Sequence, residues 1–273
     1  MRKTRGFTLI ELLVVIAIIA ILLAVLIPSL KKAKQLVQAA ICGSNLHQWH
    51  IVFKMYTQDY NDSFHAGWGN SAPESNWWMD AGRQYYGDVD KIRCCPSATL
   101  PEYNIDGSAG PGMGKEPFRA WGIDSGSFFR RGDYGSYGIN GWVENPTPRI
   151  EQAVGFDGRK HWRNMSIPGS SNVPLMTDAQ WIDFWPEDTA NQRPPNTMNE
   201  RWGGESHFVR LCQNRHNERQ DVVFLDGSIS KVGLKQLWTL KWHREYNTAG
   251  PWTSAGGVRL DAWPLWMRYF RDY

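Results

Sequence analysis

Apolar residues along this chain follow two regimes, and the change between them falls near residue 30. A short basic stretch, MRKTRG, leads into FTLIELLVVIAIIAILLAVLIPSL, where residues 12–30 carry no charge. At about 1.5 Å rise per residue this run makes a helix of roughly 28 Å, enough to cross the hydrocarbon of a bilayer. It is longer than the apolar region of a secretory signal, and no small-x-small cleavage site follows it, so it is expected to remain as an anchor. Beyond Pro28 the pattern turns amphipathic. Ala33, Leu36, Val37, Ala40, Ile41, Trp49, Val52, Phe53, Tyr56 and Tyr60 recur in steps near three and four, with lysines, glutamines and histidines between them. The spacing predicts one helix over residues 8–60, about 80 Å long and bent at Pro28, where one backbone donor is missing. Asn61-Asp62, with Gly67 beyond, marks its end.

From Asn61 onward Gly, Pro, Asn, Ser and Trp dominate. Residues 137–143 (YGINGWV) and 173–176 (VPLM) read as short strands, and 107–115 and 188–204 as long loops. The strongest strand signal is 221–232, where β-formers flank Asp226-Gly227, a pair suited to φ > 0, so a hairpin over 216–232 is expected. About 210 residues suffice for one head with its own core, and no internal repeat is present. The predicted class is α+β: a long N-terminal helix, its half over 31–60 lying on a globular head (61–273) built around an antiparallel sheet.

One residue breaks the apolar run. A carboxylate such as Glu11 costs on the order of 3 kcal/mol near a membrane core and needs a partner. Glu11 lies four residues past Phe7, which follows Gly6. A cut between Gly6 and Phe7 would leave an α-amine at the membrane edge, able to neutralise this carboxylate or a neighbouring copy's. A glutamate snorkelling to the headgroups is the plainer alternative.

The stretch RG-FTLIELLVVIAIIAIL resembles the prepilin-type cleavage and methylation segment of type IV pilins and type II secretion pseudopilins, with Gly6, Phe7, Glu11 and Pro28 in the matching places. The resemblance implies a leader over 1–6 removed after Gly6 by a prepilin peptidase, N-methylation of Phe7, and a filament-core helix over 7–30. It implies further that Glu11 guides docking among pilin subunits on an inner-membrane assembly platform. Further along, His216 and Asp226-Gly227 form a His-x9-Asp-Gly pattern, and with Cys42-Gly-Ser-Asn, Cys95-Pro-Ser and Ser136-Tyr-Gly-Ile-Asn it resembles a prepilin-processing-associated family. Asp226 is expected to cap its own turn and His216 to bond a loop backbone. A calcium ion in the C-terminal loop, as in some pseudopilin heads, is the second reading and catalysis the third. A metal set of the His-x3-His or Cys-x2-Cys kind is missing from the sequence, and no other cofactor is implied.

Arg2, Lys3 and Arg5 precede the span while Lys31, Lys32 and Lys34 follow it, so charge alone leaves orientation open. The resemblance places the N-terminus in the cytoplasm and the head outside a bacterial inner membrane. The 30 Lys+Arg against 27 Asp+Glu give +3, all of it in the three leader cations, which argues against a nucleic-acid surface. Four cysteines, Cys42, Cys94, Cys95 and Cys212, allow three pairings. A Cys94–Cys95 bridge would be strained. Cys42 and Cys95 both lie in the family-like words, which suggests Cys42–Cys95 and then Cys94–Cys212, with free buried thiols as the alternative. Fifteen tryptophans either fill the core and subunit contacts, the favoured reading, or form a platform for sugar rings on an adhesive head. Glu187 and Asp188 read as a solvated pair. No nucleophile elbow, zinc helix or phosphate loop appears, and an enzyme is not expected.

Overall fold

The computed structural model describes residues 8–68, 76–87, 90–98, 116–122, 133–204 and 206–273; the chain divides into two units, Met1–Gln38 and Ala39–Tyr273. Helix α1 (Leu9–Asp59) is continuous and contributes to both. It ends where expected. Asn61 and Asp62 take φ of 55° and 63°, a region tolerated by these two residue types, and the Asp62 amide closes on the Thr57 carbonyl at 2.7 Å.

In the first unit the side chains of residues 9–30 are exposed on every face of the helix, the pattern of a segment made for lipid or for other helices. The helix runs through Pro28, and the Ser29 hydroxyl donates to the Val25 carbonyl at 3.2 Å in the same turn.

In the second unit α1 buries Ala39, Cys42, Leu46, Trp49, Phe53 and Tyr56, in alternating steps of three and four. This line departs from the expected stripe: Leu36, Val37, Ile41 and Tyr60 are exposed. Ile41 and Cys42 are adjacent in sequence but about 100° apart on the helix, so only one can face the core. The small Ala39, Cys42 and Gly43 win that side because they admit close neighbours; a Cβ on Gly43 would already touch Ile229 at 3.7 Å.

The head sheet has five strands. Strands β1 (Trp121–Gly122) and β2 (Tyr134–Gly135) form a separate two-residue antiparallel pair. Strands β3 (Tyr137–Asn140), β4 (Pro174–Asp178), β5 (Asp183–Phe184), β6 (Arg219–Phe224) and β7 (Ile229–Gly233) lie in the order β5-β3-β4-β6-β7. All neighbours are antiparallel except β3 and β5, so the expected antiparallel sheet carries one parallel edge strand of two residues. The expected hairpin is β6–β7, and residues 188–204 form a loop; 107–115 lie outside the described residues.

Alternation along β6 sorts the core. Val223 and Leu225 join the α1 side with Trp49, Phe53, Tyr137 and Leu175, while Val222 and Phe224 face Trp142, Phe208, Trp238 and Trp242. Helix α2 (Trp78–Tyr86) crosses α1 so closely that a Cβ on Gly82 would stand 2.9 Å from Val52, and Trp49 meets Trp78 edge-on at 4.6 Å. Two shorter helices, α3 (Pro148–Val154) and α4 (His207–Leu211), cover the rest. None of the fifteen tryptophans is exposed. Their indole N–H groups hold irregular backbone: Trp49 donates to Ile92, Trp78 to Ile182, Trp142 to Pro186 and Trp238 to Gln192, at 2.7 to 2.9 Å. The tryptophans therefore fill the core, as expected, and these four also fasten backbone outside the strands.

Candidate functional site

Two places concentrate chemistry. The first is the start of α1. A helix leaves its first amide donors unpaired, and a threonine followed three residues later by glutamate satisfies them reciprocally. Glu11 Oε2 accepts from both the Thr8 amide and the Thr8 hydroxyl at 2.8 Å, and the Glu11 amide donates back to Thr8 Oγ1 at 3.3 Å. The acid in the apolar segment thus turns toward the positive end of the helix dipole. Gly6 and Phe7 lie outside the described residues. Thr8 is a partner that the sequence reading did not name, although its T-x-x-E spacing was there to be read.

The second place is in the head. Cys42 comes from the buried line of α1, Cys95 from the turn after residues 90–93, Asp178 from the last position of β4, and His216 from the loop before β6. One donor atom from each lies within 4.8 Å of the other three. Cys95 Sγ is 3.2 Å and Asp178 Oδ2 3.4 Å from His216 Nε2, and Cys42 Sγ is 3.8 Å from Asp178 Oδ2. Arg215, wholly buried, fixes this arrangement. It donates to Asp178 Oδ1 at 2.8 Å and to the carbonyls of Pro117, Ser136 and Ala179 at 2.6, 2.7 and 3.1 Å. Ser136 Oγ in turn accepts the Cys95 amide at 2.6 Å.

Burial raises the Asp178 pKa on its own account, but Arg215 and His216 together outweigh it and hold the carboxyl below its ordinary range. Burial would likewise depress His216, yet Asp178 and Cys95 beside it lift the imidazole to about 10. Burial pushes the Cys95 thiol up, while bonds from Cys42 and His216 and the Arg215 charge bring it down to about 7. Cys42, dominated by burial, goes well above the usual thiol range. The cluster is not a nucleophile–base–acid relay, because sulfur and carboxylate share one imidazole nitrogen instead of flanking the ring. Cys42, Cys95 and Asp178 are also closed to solvent.

Several expectations change here. His216 bonds side chains, not loop backbone, and Asp178 went unnoticed in the sequence because it sits inside an ordinary strand. Cys42 and Cys95 do meet, but as thiols, and Cys212 is a thiol as well, so neither suggested bridge is formed among the described residues. Cys212 belongs to the opposite core, beside Phe208 and Trp238. Asp226 does cap its turn, accepting from the Ser228 amide and hydroxyl at 2.9 and 2.6 Å, and Gly227 takes φ of 87° against His50. Among the described residues the clusters of metal-ligating side chains do not include Asp226. Glu187 is no solvated pair with Asp188: it binds Lys160 Nζ at 2.6 Å and His243 Nε2 at 3.1 Å. Trp68, Trp77, Trp181, Trp185 and Trp202 line a cavity of about 430 Å³ with Arg210, whose guanidinium lies 3.6 Å from the Trp202 ring.

Comparison with known proteins bears on the N-terminal end. Residues 1–27 match the family model of the prokaryotic N-terminal methylation motif. Over 61 residues the chain is 49% identical to the type IV wide pilus major component PilA4 of Thermus thermophilus, covering 22% of this chain and 47% of that protein. The chain thus spans about half the length of this curated relative. No solved structure matches it. The likeness of the first residues to type IV pilin and pseudopilin segments therefore rests on a motif model and a pilin relative as well as on Gly6, Phe7 and Glu11.

Proposed function

We propose that this chain is a pilin-like structural subunit, made as a precursor, held in the membrane by α1 and assembled with other subunits into a type IV pilus-like filament or a secretion pseudopilus. One coincidence carries the reading. The methylation motif over residues 1–27 falls on a helix whose apolar side chains are exposed on all sides and whose acid closes its first turn. Such a helix gains by leaving lipid only if other helices replace the lipid, since the two surroundings are equally apolar. Prepilin peptidase would cut after Gly6, and the freed, methylated Phe7 amine would meet Glu11 of its own or a neighbouring chain. The role is mechanical and needs no catalytic residue, and the head faces away from the cytoplasm.

Mass spectrometry of the protein taken from cells tests this. The N-terminal peptide should begin at N-methylated Phe7, and Gly6→Val should accumulate as precursor; an intact Met1 start overturns the proposal. Glu11→Ala should be processed normally but yield at least tenfold less sheared filament, and undiminished yield removes the docking role. A second reading, a membrane-anchored glycan-binding head, is favoured by the tryptophan-lined cavity beside Arg210. Retention on immobilised polysaccharide, lost in Trp181→Ala, would support it.

A further inference from the structure

We propose that the head binds one zinc ion through Cys42 Sγ, Cys95 Sγ, His216 Nε2 and Asp178 Oδ2. Two thiolates, an imidazole and a carboxylate converge from four separate segments of Ala39–Tyr273 in a closed space, a four-donor set of the kind structural zinc uses. The spacing fits a tetrahedron. With Zn–S about 2.3 Å and Zn–N and Zn–O near 2.1 Å, tetrahedral edges come to about 3.4 Å for N to O and about 3.6 Å for S to N or S to O. The observed separations are 3.4 Å for His216 to Asp178, 3.2 Å for Cys95 to His216 and 3.8 Å for Cys42 to Asp178.

Charge is consistent with this. With the metal in place, two thiolates and the Asp178 carboxylate are balanced by the divalent cation and the Arg215 guanidinium, so no net charge is left in the buried space. The outer contacts are those a metal site needs. Arg215 holds Asp178 Oδ1 and leaves Oδ2 toward the other donors, and Ser136 fixes the Cys95 backbone. Sulfur donors select against calcium and magnesium, which take oxygen. A Cys42–Cys95 disulfide would use the two sulfurs and leave the convergence of His216 and Asp178 on them without a purpose. Binding proceeds with loss to solvent of the thiol protons and of the Nε2 proton of the His216 imidazolium, and with no change of oxidation state. The proposal concerns the head alone and stands whatever the processing of the N-terminus.

The test uses the full-length chain, purified in detergent under reducing conditions, loaded with Zn²⁺ alone and dialysed. Metal analysis should find one zinc per chain, at least tenfold less in Cys95→Ser and in His216→Ala, and an unchanged amount in Cys212→Ser. Because a variant that fails to fold loses metal trivially, Co²⁺ is also bound to the unaltered protein. Tetrahedral d–d bands should then accompany thiolate-to-cobalt charge transfer of the strength given by two sulfurs. Reduced protein that takes up no zinc overturns the proposal, as does a cobalt spectrum without thiolate bands, or zinc retained in both variants. So does a Cys42–Cys95 disulfide mapped in protein taken from cells.

Discussion

Replacing Arg215 by methionine probes the most concentrated polar contact in the head. Its guanidinium donates to one carboxylate oxygen and three backbone carbonyls, and neither it nor Asp178 has any exposed side-chain surface. Methionine fills similar volume, so packing loss is small and the cost lies in what is left behind. Removing one partner of a buried ion pair costs about 3–5 kcal/mol, because the remaining charge is stranded; His216 Nε2, 3.4 Å from Asp178 Oδ2, offsets part of that here. Orphaned carbonyls at Pro117, Ser136 and Ala179 add to this unless water reaches them. For a head of this size 1 kcal/mol shifts Tm by about 2–4 °C, so a fall of roughly 6–20 °C is expected for full-length protein in detergent. Arg215→Lys should recover little of it, since one ammonium cannot place donors at four acceptors in a fork. Arg215→Met combined with Asp178→Asn should be less damaging than Arg215→Met alone, because the stranded charge is gone. A Tm loss under about 3 °C, or a lysine variant equal to the parent, would refute the reasoning.

Gly227→Ala should destabilise the head by about 2 kcal/mol in chemical denaturation, combining a left-handed φ of 87° with a Cβ placed 2.6 Å from His50. Gly155→Ala, with φ of 72° and no described atom within 4 Å, should cost about half as much; equal losses would show that the His50 contact yields freely. Burial holds His65 neutral with a pKa near 3 and His161 with one near 4, whereas the unfolded chain protonates both near 6.5. Protons bind the unfolded state preferentially across that window, so stability is full above about pH 6.5 and is lost as pH falls toward 4. The expected loss is on the order of 2 kcal/mol between pH 7 and 5.5; a Tm that stays flat over that range contradicts it.

How far the sequence could be read depended on how local the cause was. Helix α1 announced itself because its solvent changes along its length, and Asn61-Asp62 carried the stop in their own conformational tolerance. The β6–β7 hairpin was legible for the same reason, since Asp226-Gly227 specifies its turn within four residues. The phase of the buried line on α1 was not legible. Leu36, Val37 and Ile41 are more apolar than Ala39 and Cys42, and what decides between them is how close β7 approaches. Two-residue strands such as β1, β2 and β5 depend wholly on their partners and leave no periodicity to detect. The head cluster was half visible: His216, Cys42 and Cys95 stood out as words, but Asp178 looks like any strand end until β3, β4 and the Arg215 loop are assembled around it.

The wide sequence spacing of the head cluster also imposes an order of arrival. As the chain is synthesised, Cys42 is made first, then the adjacent Cys94 and Cys95, then Asp178 and last His216. Until the final stretch is made, the contacts that set Cys95 apart from its neighbour Cys94 do not exist. Only the finished sheet, by bringing Asp178 and His216 onto Cys95, discriminates between the two neighbouring sulfurs. The pairing of Cys95 with His216 is therefore a property of the completed chain, one that no shorter stretch of it carries.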